Sequence, residues 1–192
     1  MSVAAIILAA GSSQRLGRPK QSEVLAGETL LQRAIRTAGE AGLSPLVVVI
    51  HGNASRFIDT RANVEFVLNA KPDEGIASSI RCGVAALSSR TVAGAILMTC
   101  DQPAVSAAHL CALCVDEGRM TGSRYAHAIG VPAYFPKESF ADLGQLSGDS
   151  GARALLRAAH SIFAKDLELD IDTQQDLDRA RALFESNRHE AS

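Results

Sequence analysis

The segment over residues 9–20 combines small residues with two cations at a short spacing. Gly11 and Gly17 leave the backbone open to a ligand, and Arg15 and Lys20 add positive charge. Backbone N–H groups in such a loop can surround an anion, because glycine permits close approach. The loop therefore predicts binding of a polyphosphate, and a plain turn with solvated charges is the alternative interpretation.

The spacing in this loop excludes two common phosphate-binding motifs. A Walker A loop needs Lys and then Ser or Thr directly after its second glycine, whereas Gly17 is followed by Arg18, Pro19 and Lys20. The loop also lacks the Gly-x-Gly-x-x-Gly of dinucleotide-binding oxidoreductases. Neither a P-loop NTPase nor a typical NAD enzyme is supported.

A polar motif also follows the last of the apolar runs described below. Asp101 comes just after residues 93–99 and precedes Gln102. A turn-forming role is the alternative interpretation of Asp101.

Apolar runs that predict buried strands precede these polar motifs. Four such runs cover residues 3–8, 46–50, 65–68 and 93–99. Helical patterns follow them over residues 29–41, 76–87 and 106–117. Alternating strands and helices are typical of an α/β protein with a mostly parallel sheet. Right-handed crossovers then bring the loops after the strands to one edge.

The second half of the chain is less regular. Two β-like pieces within residues 125–135 flank Gly130-Val131-Pro132, and residues 140–146 form a short element. Helices are predicted over residues 152–159 and from Thr173 to about residue 186, where Asp176 completes a pair resembling a capping box. Residues 162–169 fit one bent strand or two.

The composition is that of an ordinary globular protein. Of 192 residues, 47% are apolar and 21% are charged, which excludes disorder as the main state. A net charge of −2 and the absence of Trp argue against nucleic-acid binding. No apolar run approaches the roughly 20 residues of a membrane span, and the N-terminus lacks a basic segment typical of signal peptides. We expect a cytoplasmic protein with no membrane partner.

The cysteines and histidines carry weaker signals. Four cysteines suit a reducing compartment, and Cys111 and Cys114 form a C-x-x-C that we interpret as structural, with a redox or metal role as the alternative. The histidines are scattered and are predicted to be surface or packing residues: His51, His109, His127, His160 and His189.

Four motifs together resemble a known family. The pattern Leu-Ala-Ala-Gly-x3-Arg-Leu-Gly-x2-Lys over residues 8–20 resembles the opening signature of small nucleotidyltransferases with a glycosyltransferase-A-like fold. Cys-Asp-Gln-Pro at 100–103, Gly-Val-Pro at 130–132 and Gly-Asp-Ser-Gly-Ala-Arg at 148–153 resemble the molybdenum cofactor cytidylyltransferases, relatives of the molybdopterin-guanine dinucleotide synthases. The resemblance runs over residues 3–177 and implies one nucleotidyltransferase domain over 1–192, a Rossmann-like, three-layer α/β/α fold.

The resemblance also implies a nucleotide site. It places four loop residues against the nucleotide, with Ala10 bearing on the identity of the base: Leu8, Ala9, Ala10 and Gly11. Gly75 and Ser79 match positions near the base. Arg15 and Lys20 match the residues that bind the triphosphate, and with Asp101 they form the implied catalytic set.

A metal and acceptor site follows from the same resemblance. Asp101 matches the magnesium ligand, and the resemblance implies a second metal contact at Asp172, with Asp170 as the alternative. Magnesium keeps several waters and needs only one or two protein carboxylates. A solvated surface is the alternative for Asp170 and Asp172. Gln102, Asp149 and Arg153 are implied substrate contacts. Capping of the following helix is the alternative for Asp149, and a salt bridge is the alternative for Arg153.

The implied reaction is magnesium-dependent transfer of CMP from CTP to the terminal phosphate of molybdopterin, with release of pyrophosphate. A phosphate monoester is already largely ionised near neutral pH, so no general base is required. Use of GTP, or of a sugar or polyol phosphate acceptor, is the alternative within the same class. A non-catalytic chaperone for molybdenum cofactor insertion and a redox enzyme are the alternatives from other classes. A molybdenum hydroxylase is the expected partner.

Overall fold

The computed structural model describes residues 1–11, 13, 15–52, 64–125, 128–164 and 167–190, with side chains through residue 184. Residues 12 and 14 of the glycine loop, His127 and the side chain of His189 lie outside the described part, so the predictions that involve them are not addressed. No helix of the described chain is long and apolar enough to cross a bilayer.

Nine strands are present in the described residues. Seven belong to one sheet: β1 (Ser2–Leu8), β4 (Leu46–Ile50), β5 (Val64–Leu68), β6 (Val92–Thr99), β7 (Thr121–Arg124), β8 (Ile129–Pro136) and β9 (His160–Phe163). Two form a small hairpin: β2 (Val24–Leu25) and β3 (Glu28–Thr29). The sheet order is β5-β4-β1-β6-β8-β7-β9, and β8 runs against the other six strands. The predicted mostly parallel sheet is confirmed.

Six helices accompany the strands in the described residues. They are α1 (Leu30–Glu40), α2 (Ile76–Ala86), α3 (Ala107–Leu113), α4 (Phe140–Gly144), α5 (Arg153–Leu156) and α6 (Gln174–Glu190). One face of the sheet packs on α1 and α3, and the other face packs on α2, α4 and α5. The predicted three-layer α/β/α architecture is therefore confirmed.

Strand β1 shows why the sheet is buried on both faces. Ala5 and Ile7 point into the core beside α1, and Ala4 and Ile6 point into the core beside α2. A run with apolar residues at every position is the pattern expected of a parallel strand covered on both sides. A Cβ at Gly83 of α2 would lie 2.4 Å from Ile6 Cγ2, so only glycine lets α2 lie this close to β1.

The first helix is one residue shorter at each end than the predicted 29–41, because Thr29 and Ala41 are its capping residues. Thr29 Oγ1 accepts a hydrogen bond from the Gln32 backbone N–H at 3.1 Å, and Gln32 Oε1 accepts one from the Thr29 N–H at 2.9 Å. This reciprocal pair is a capping box. Gly42, just after the helix, adopts a φ of +73°, which favours glycine.

Two predicted helices are shorter than the sequence suggests. The helix predicted to end at residue 117 ends at Leu113, because Asp116 Oδ1 accepts the Gly118 N–H in a local turn that competes with the helix. The helix predicted over 152–159 spans only Arg153–Leu156, because the chain must reach His160, whose N–H bonds to the Met120 carbonyl.

The C-terminal segment also differs from prediction. The strand predicted within residues 162–169 is His160–Phe163, and it pairs in parallel with β7. The last helix extends to Glu190 rather than residue 186, and it begins with the predicted reciprocal bonds between Thr173 and Asp176.

A small second core lies under the β2–β3 hairpin and fixes the segment before α6. Its buried members are Leu25, Leu30, Ile171, Leu177 and Ala180. Ile171 is fully buried there, and its N–H donates to the Asp101 carbonyl at 3.0 Å. The late segment is thereby attached to the carboxyl end of β6.

Candidate active site

Three carboxylates meet at the carboxyl end of β6. Because Ile171 bonds to the Asp101 backbone, its neighbours Asp170 and Asp172 are brought beside the Asp101 side chain. Asp101, Asp170 and Asp172 each offer an oxygen within 4.8 Å of the others. The two late residues that sequence reasoning could not separate are therefore both in the cluster.

Lys20 places its ammonium among these carboxylates. Its Nζ lies 2.5 Å from Asp101 Oδ2 and 2.9 Å from Asp172 Oδ1. Burial lowers the pKa of the ammonium, but the Asp101 and Asp172 carboxylates outweigh that effect and raise it. Lys20 is therefore charged and compensates the cluster.

Of the two arginines in the loop, Arg15 contacts the carboxylate cluster and Arg18 does not. Arg15 Nη1 contacts Asp172 Oδ2 at 3.2 Å, and 75% of its side chain is exposed, so it is free to reach a ligand. Arg18 instead pairs with Glu23 and donates to Gln174 Oε1 at 2.7 Å. Arg18 therefore joins the loop to α6 and does not contact the carboxylate cluster.

The cluster fits a divalent cation. Asp101 Oδ1 is buried and has no hydrogen-bond partner among the described residues. Burial, followed by the Asp101 charge, raises the pKa of Asp170 to about 7. A divalent cation at the cluster would supply a partner for the unpaired Asp101 oxygen and lower the repulsion among the three carboxylates. Oxygen ligands of this kind suit magnesium or manganese.

A first cavity of about 420 Å³ opens between the glycine loop and the start of α2. The predicted nucleotide residues on its wall are Leu8, Ala9, Ala10, Gly11, Lys20, Gly75 and Ser79. Arg15 is not among the lining residues. His51, which the sequence predicted to be a surface or packing residue, also lines this cavity because it directly follows β4.

The 148–151 segment contacts the start of α2. The Gly148 carbonyl accepts the Ala77 N–H at 3.2 Å. Gly75 has a φ of +85°, and a Cβ there would lie 2.3 Å from Asp149 Oδ1. Gly75 is required both for its backbone conformation and for this close approach.

A second cavity of about 700 Å³ lies beside the first. The two share Leu8, Ile76, Thr99, Asp101 and Asp149 as lining residues. The second cavity is also lined by the other two predicted substrate contacts, Gln102 and Arg153, and by Asp170. The two spaces therefore meet at the carboxylate cluster.

Capping of α5, the alternative role for Asp149, is not seen among the described residues. The cap of α5 is Ala152 and no side chain caps the helix, so Asp149 does not have that role. Gln102 Nε2 donates to the Tyr125 hydroxyl at 2.9 Å, and that hydroxyl donates to the Val131 carbonyl. Tyr125, which sequence reasoning did not single out, holds Gln102 at the wall of the second cavity.

The C-x-x-C lies outside these cavities. Cys111 Sγ donates to the Ala41 carbonyl, and burial raises the pKa of the Cys114 thiol to about 12. A thiol with a raised pKa is poorly reactive. His109 lines neither cavity, and its ring contacts Ser123 Oγ at 2.7 Å.

Comparison with known proteins identifies the family. The profile described as "MobA-like NTP transferase domain" matches residues 5–163, from β1 to the end of β9. The chain belongs to this family. The MobA-like chain is 30% identical over 92% of its length to "Purine catabolism protein PucB" of Bacillus subtilis, covering 94% of that protein. The family resemblance of the motifs is thereby confirmed.

The chain is also similar to a second named protein and to solved structures. It is 40% identical to "Probable molybdenum cofactor guanylyltransferase" of Opitutus terrae over 108 residues, which are 55% of this chain and 51% of that one. The structure of Rv0371c from Mycobacterium tuberculosis is 30% identical with a TM-score of 0.81, covering 95% of this chain and 99% of that one. Another Rv0371c structure, 27% identical, is a complex with manganese. The protein is thus a nucleotidyltransferase of the MobA-like type.

Proposed function

We propose that the protein transfers CMP from CTP to the terminal phosphate of molybdopterin, releasing pyrophosphate, with magnesium at the carboxylate cluster. The observation that carries this proposal is the junction of the two cavities. Lys20 lines the first cavity, Asp170 lines the second, and Asp101 lines both. A nucleotide in the first and a phosphate acceptor in the second would meet at the cluster.

The reaction needs charge compensation rather than a base. An oxygen of the acceptor phosphate attacks the α-phosphorus of CTP, the bond from the α-phosphorus to the bridging oxygen breaks, and pyrophosphate leaves with that electron pair. Lys20 on the wall of the first cavity and the exposed Arg15, which contacts Asp172 at the cluster, would bind the triphosphate and stabilise the leaving group. Asp101 and Asp172 would hold the metal, with Asp170 adjacent, and the bound ion neutralises phosphate charge.

The identity of the base depends on Ala9 and Ala10. Both are buried, but Ala9 belongs to the core beside α1 and Ala10 to the core beside α2. Because Gly75 and Ser79 of the first cavity also lie at the start of α2, Ala10 is the better candidate for limiting the space beside the base. The methyl group of Ala10 would narrow the space beside the base, which favours cytosine over the larger guanine.

The second cavity supports a bulky heterocyclic acceptor. Its wall includes the apolar side chains of Ile129, Val131 and Leu156, together with Gln102 held by Tyr125. Apolar walls with a few fixed polar groups are typical of sites for large organic ligands. Arg153 on the same wall would contact the acceptor phosphate. The product would be delivered to a molybdenum hydroxylase.

Pyrophosphate release tests the proposal. The purified protein is incubated with magnesium and CTP or GTP, with molybdopterin or with a polyol phosphate as the acceptor. We expect pyrophosphate, and a cytidine dinucleotide detected by mass spectrometry, only with CTP and molybdopterin. Release only with the polyol phosphate would refute the acceptor. Binding of nucleotide and cofactor without pyrophosphate would favour an insertion chaperone.

GTP is the second candidate nucleotide. The supporting observation is the 40% identity with a protein named a molybdenum cofactor guanylyltransferase. A preference for GTP in the same assay would move the protein to the guanylyl branch without changing the reaction type.

A further inference from the structure

Asn69 directly follows β5, and its buried side chain contacts Ser79, which lines the first cavity. Only 2% of Asn69 is exposed, and its N–H donates to the Ile50 carbonyl at 2.7 Å. Its Oδ1 accepts the Lys71 N–H at 2.9 Å. Because a backbone N–H can only donate, this bond fixes which end of the amide carries the protons.

Both amide protons of Asn69 are donated to serines in the first turn of α2. Nδ2 lies 2.8 Å from Ser78 Oγ and 2.9 Å from Ser79 Oγ. The two hydroxyls therefore act as acceptors toward Asn69. Ser78 donates its own proton to the Gly75 carbonyl at 2.8 Å.

Ser79 differs from Ser78 in whether its hydroxyl proton has an acceptor. It is 6% exposed and lines the first cavity, whereas Ser78 is not among the lining residues. Within the described chain, the Ser79 hydroxyl accepts from Asn69 and donates to no group. A hydroxyl carries one donor and two acceptor positions, so this one retains a proton for a ligand.

We infer that Asn69 is a positioning residue that holds the Ser79 hydroxyl as a hydrogen-bond donor toward an acceptor atom of the nucleobase. The inference rests on the proposed function, which puts the base in this cavity. Asn69 touches no substrate itself. It prevents the Ser79 proton from turning inward, because the inward side is already occupied by an amide donor.

A double-mutant cycle tests this assignment by equilibrium binding of CTP, without turnover. Asn69→Asp replaces the amide donor by an acceptor, so the Ser79 proton turns inward. We expect Asn69→Asp and Ser79→Ala each to weaken CTP binding about 3- to 10-fold, the range for loss of one hydrogen bond. Since Asn69 acts through Ser79, the double variant should match Ser79→Ala alone within about twofold.

Two controls separate positioning from general damage. Ser78→Ala removes the other hydroxyl held by Asn69 and should change CTP binding less than about twofold. Inorganic triphosphate, which has no base, should bind equally to wild type and to Ser79→Ala. Asn69→Ala, which introduces no charge, provides a second cycle if Asn69→Asp does not fold.

The outcomes distinguish this inference from the proposed function. Multiplicative losses in the double variant, or an equal loss of triphosphate binding in Ser79→Ala, would overturn the positioning role while leaving the nucleotide site intact. A wild-type protein that binds inorganic triphosphate but shows no preference for CTP or GTP over it would overturn the proposed function, and this inference with it.

Discussion

Replacing Lys20 by Met should increase the affinity of the nucleotide-free protein for manganese. In the free protein the ammonium compensates the same carboxylates that would bind the metal, at 2.5 Å from Asp101 and 2.9 Å from Asp172. A cation that enters must therefore displace it. Met has a similar length and no charge, so the variant leaves the carboxylates open to the ion.

The size of the effect follows from the contacts that the metal must break. Lys20 is 16% exposed, and its partners Asp101 and Asp172 are 10% and 39% exposed. Hydrogen bonds between charged groups contribute about 1.5–3 kcal/mol when sheltered, and solvent reduces the share of the more exposed partner. A net 1.5–3 kcal/mol corresponds to roughly 10- to 150-fold tighter binding of manganese.

Electron paramagnetic resonance of free manganese measures this affinity in the absence of nucleotide. Arg18→Met is the matched control, because Arg18 lies in the same loop but pairs with Glu23, and its affinity should equal that of wild type. With CTP present, Lys20→Met should instead bind manganese more weakly than wild type, since the variant loses the proposed contact between Lys20 and the triphosphate. Manganese binding to Lys20→Met that is no tighter than to wild type would refute the reasoning.

Three further outcomes are expected. Asp101→Asn should lower the rate of pyrophosphate release roughly 10²- to 10³-fold with the melting temperature preserved, and near-normal activity would contradict its metal role. Ala10→Gly should shift the ratio of kcat/KM for GTP to that for CTP toward GTP by the equivalent of about 1–3 kcal/mol, whereas Ala9→Gly should leave that ratio unchanged. Equal ratios in the two variants would reject the assignment of Ala10. Gly75→Ala should lower the free energy of unfolding by about 1–3 kcal/mol and weaken CTP binding, because its Cβ would lie 2.3 Å from Asp149 Oδ1. Denaturant titration measures the stability and calorimetry measures the binding. Unchanged stability would show that the contact relaxes.

The strands were predictable because burial on both faces leaves a purely apolar signature. Residues 46–50 are predicted and observed as a strand with the same limits, and every residue in it is buried. The short strand β7, Thr-Gly-Ser-Arg, lacks this signature and was missed, because pairing with β8 and β9 decides its conformation. The helix predicted over 152–159 was too long for the same reason, since strand pairing by His160 outweighs local helical spacing.

The candidate site was predictable in its parts but not in its connections. Arg15, Lys20 and Asp101 stand out as charged residues beside apolar runs. Lys20 and Asp172 are 152 positions apart, so no local pattern indicates their contact. Asn69 did have a signal, since it follows β5 as Asp101 follows β6, but its link to Ser79 exists only in the fold.

Strand β8 has a consequence for how this scaffold could acquire new acceptors. Because it runs against its neighbours, its first residues, and not its last, lie at the edge where the cavities open. The first cavity is thus lined largely by residues that follow parallel strands, whereas Ile129, Gly130 and Val131 at the start of β8 line the second cavity. Substitutions at the start of β8 can therefore reshape the second cavity while the register of β1, β4 and β6 stays fixed, so the walls of the two cavities can evolve at different rates.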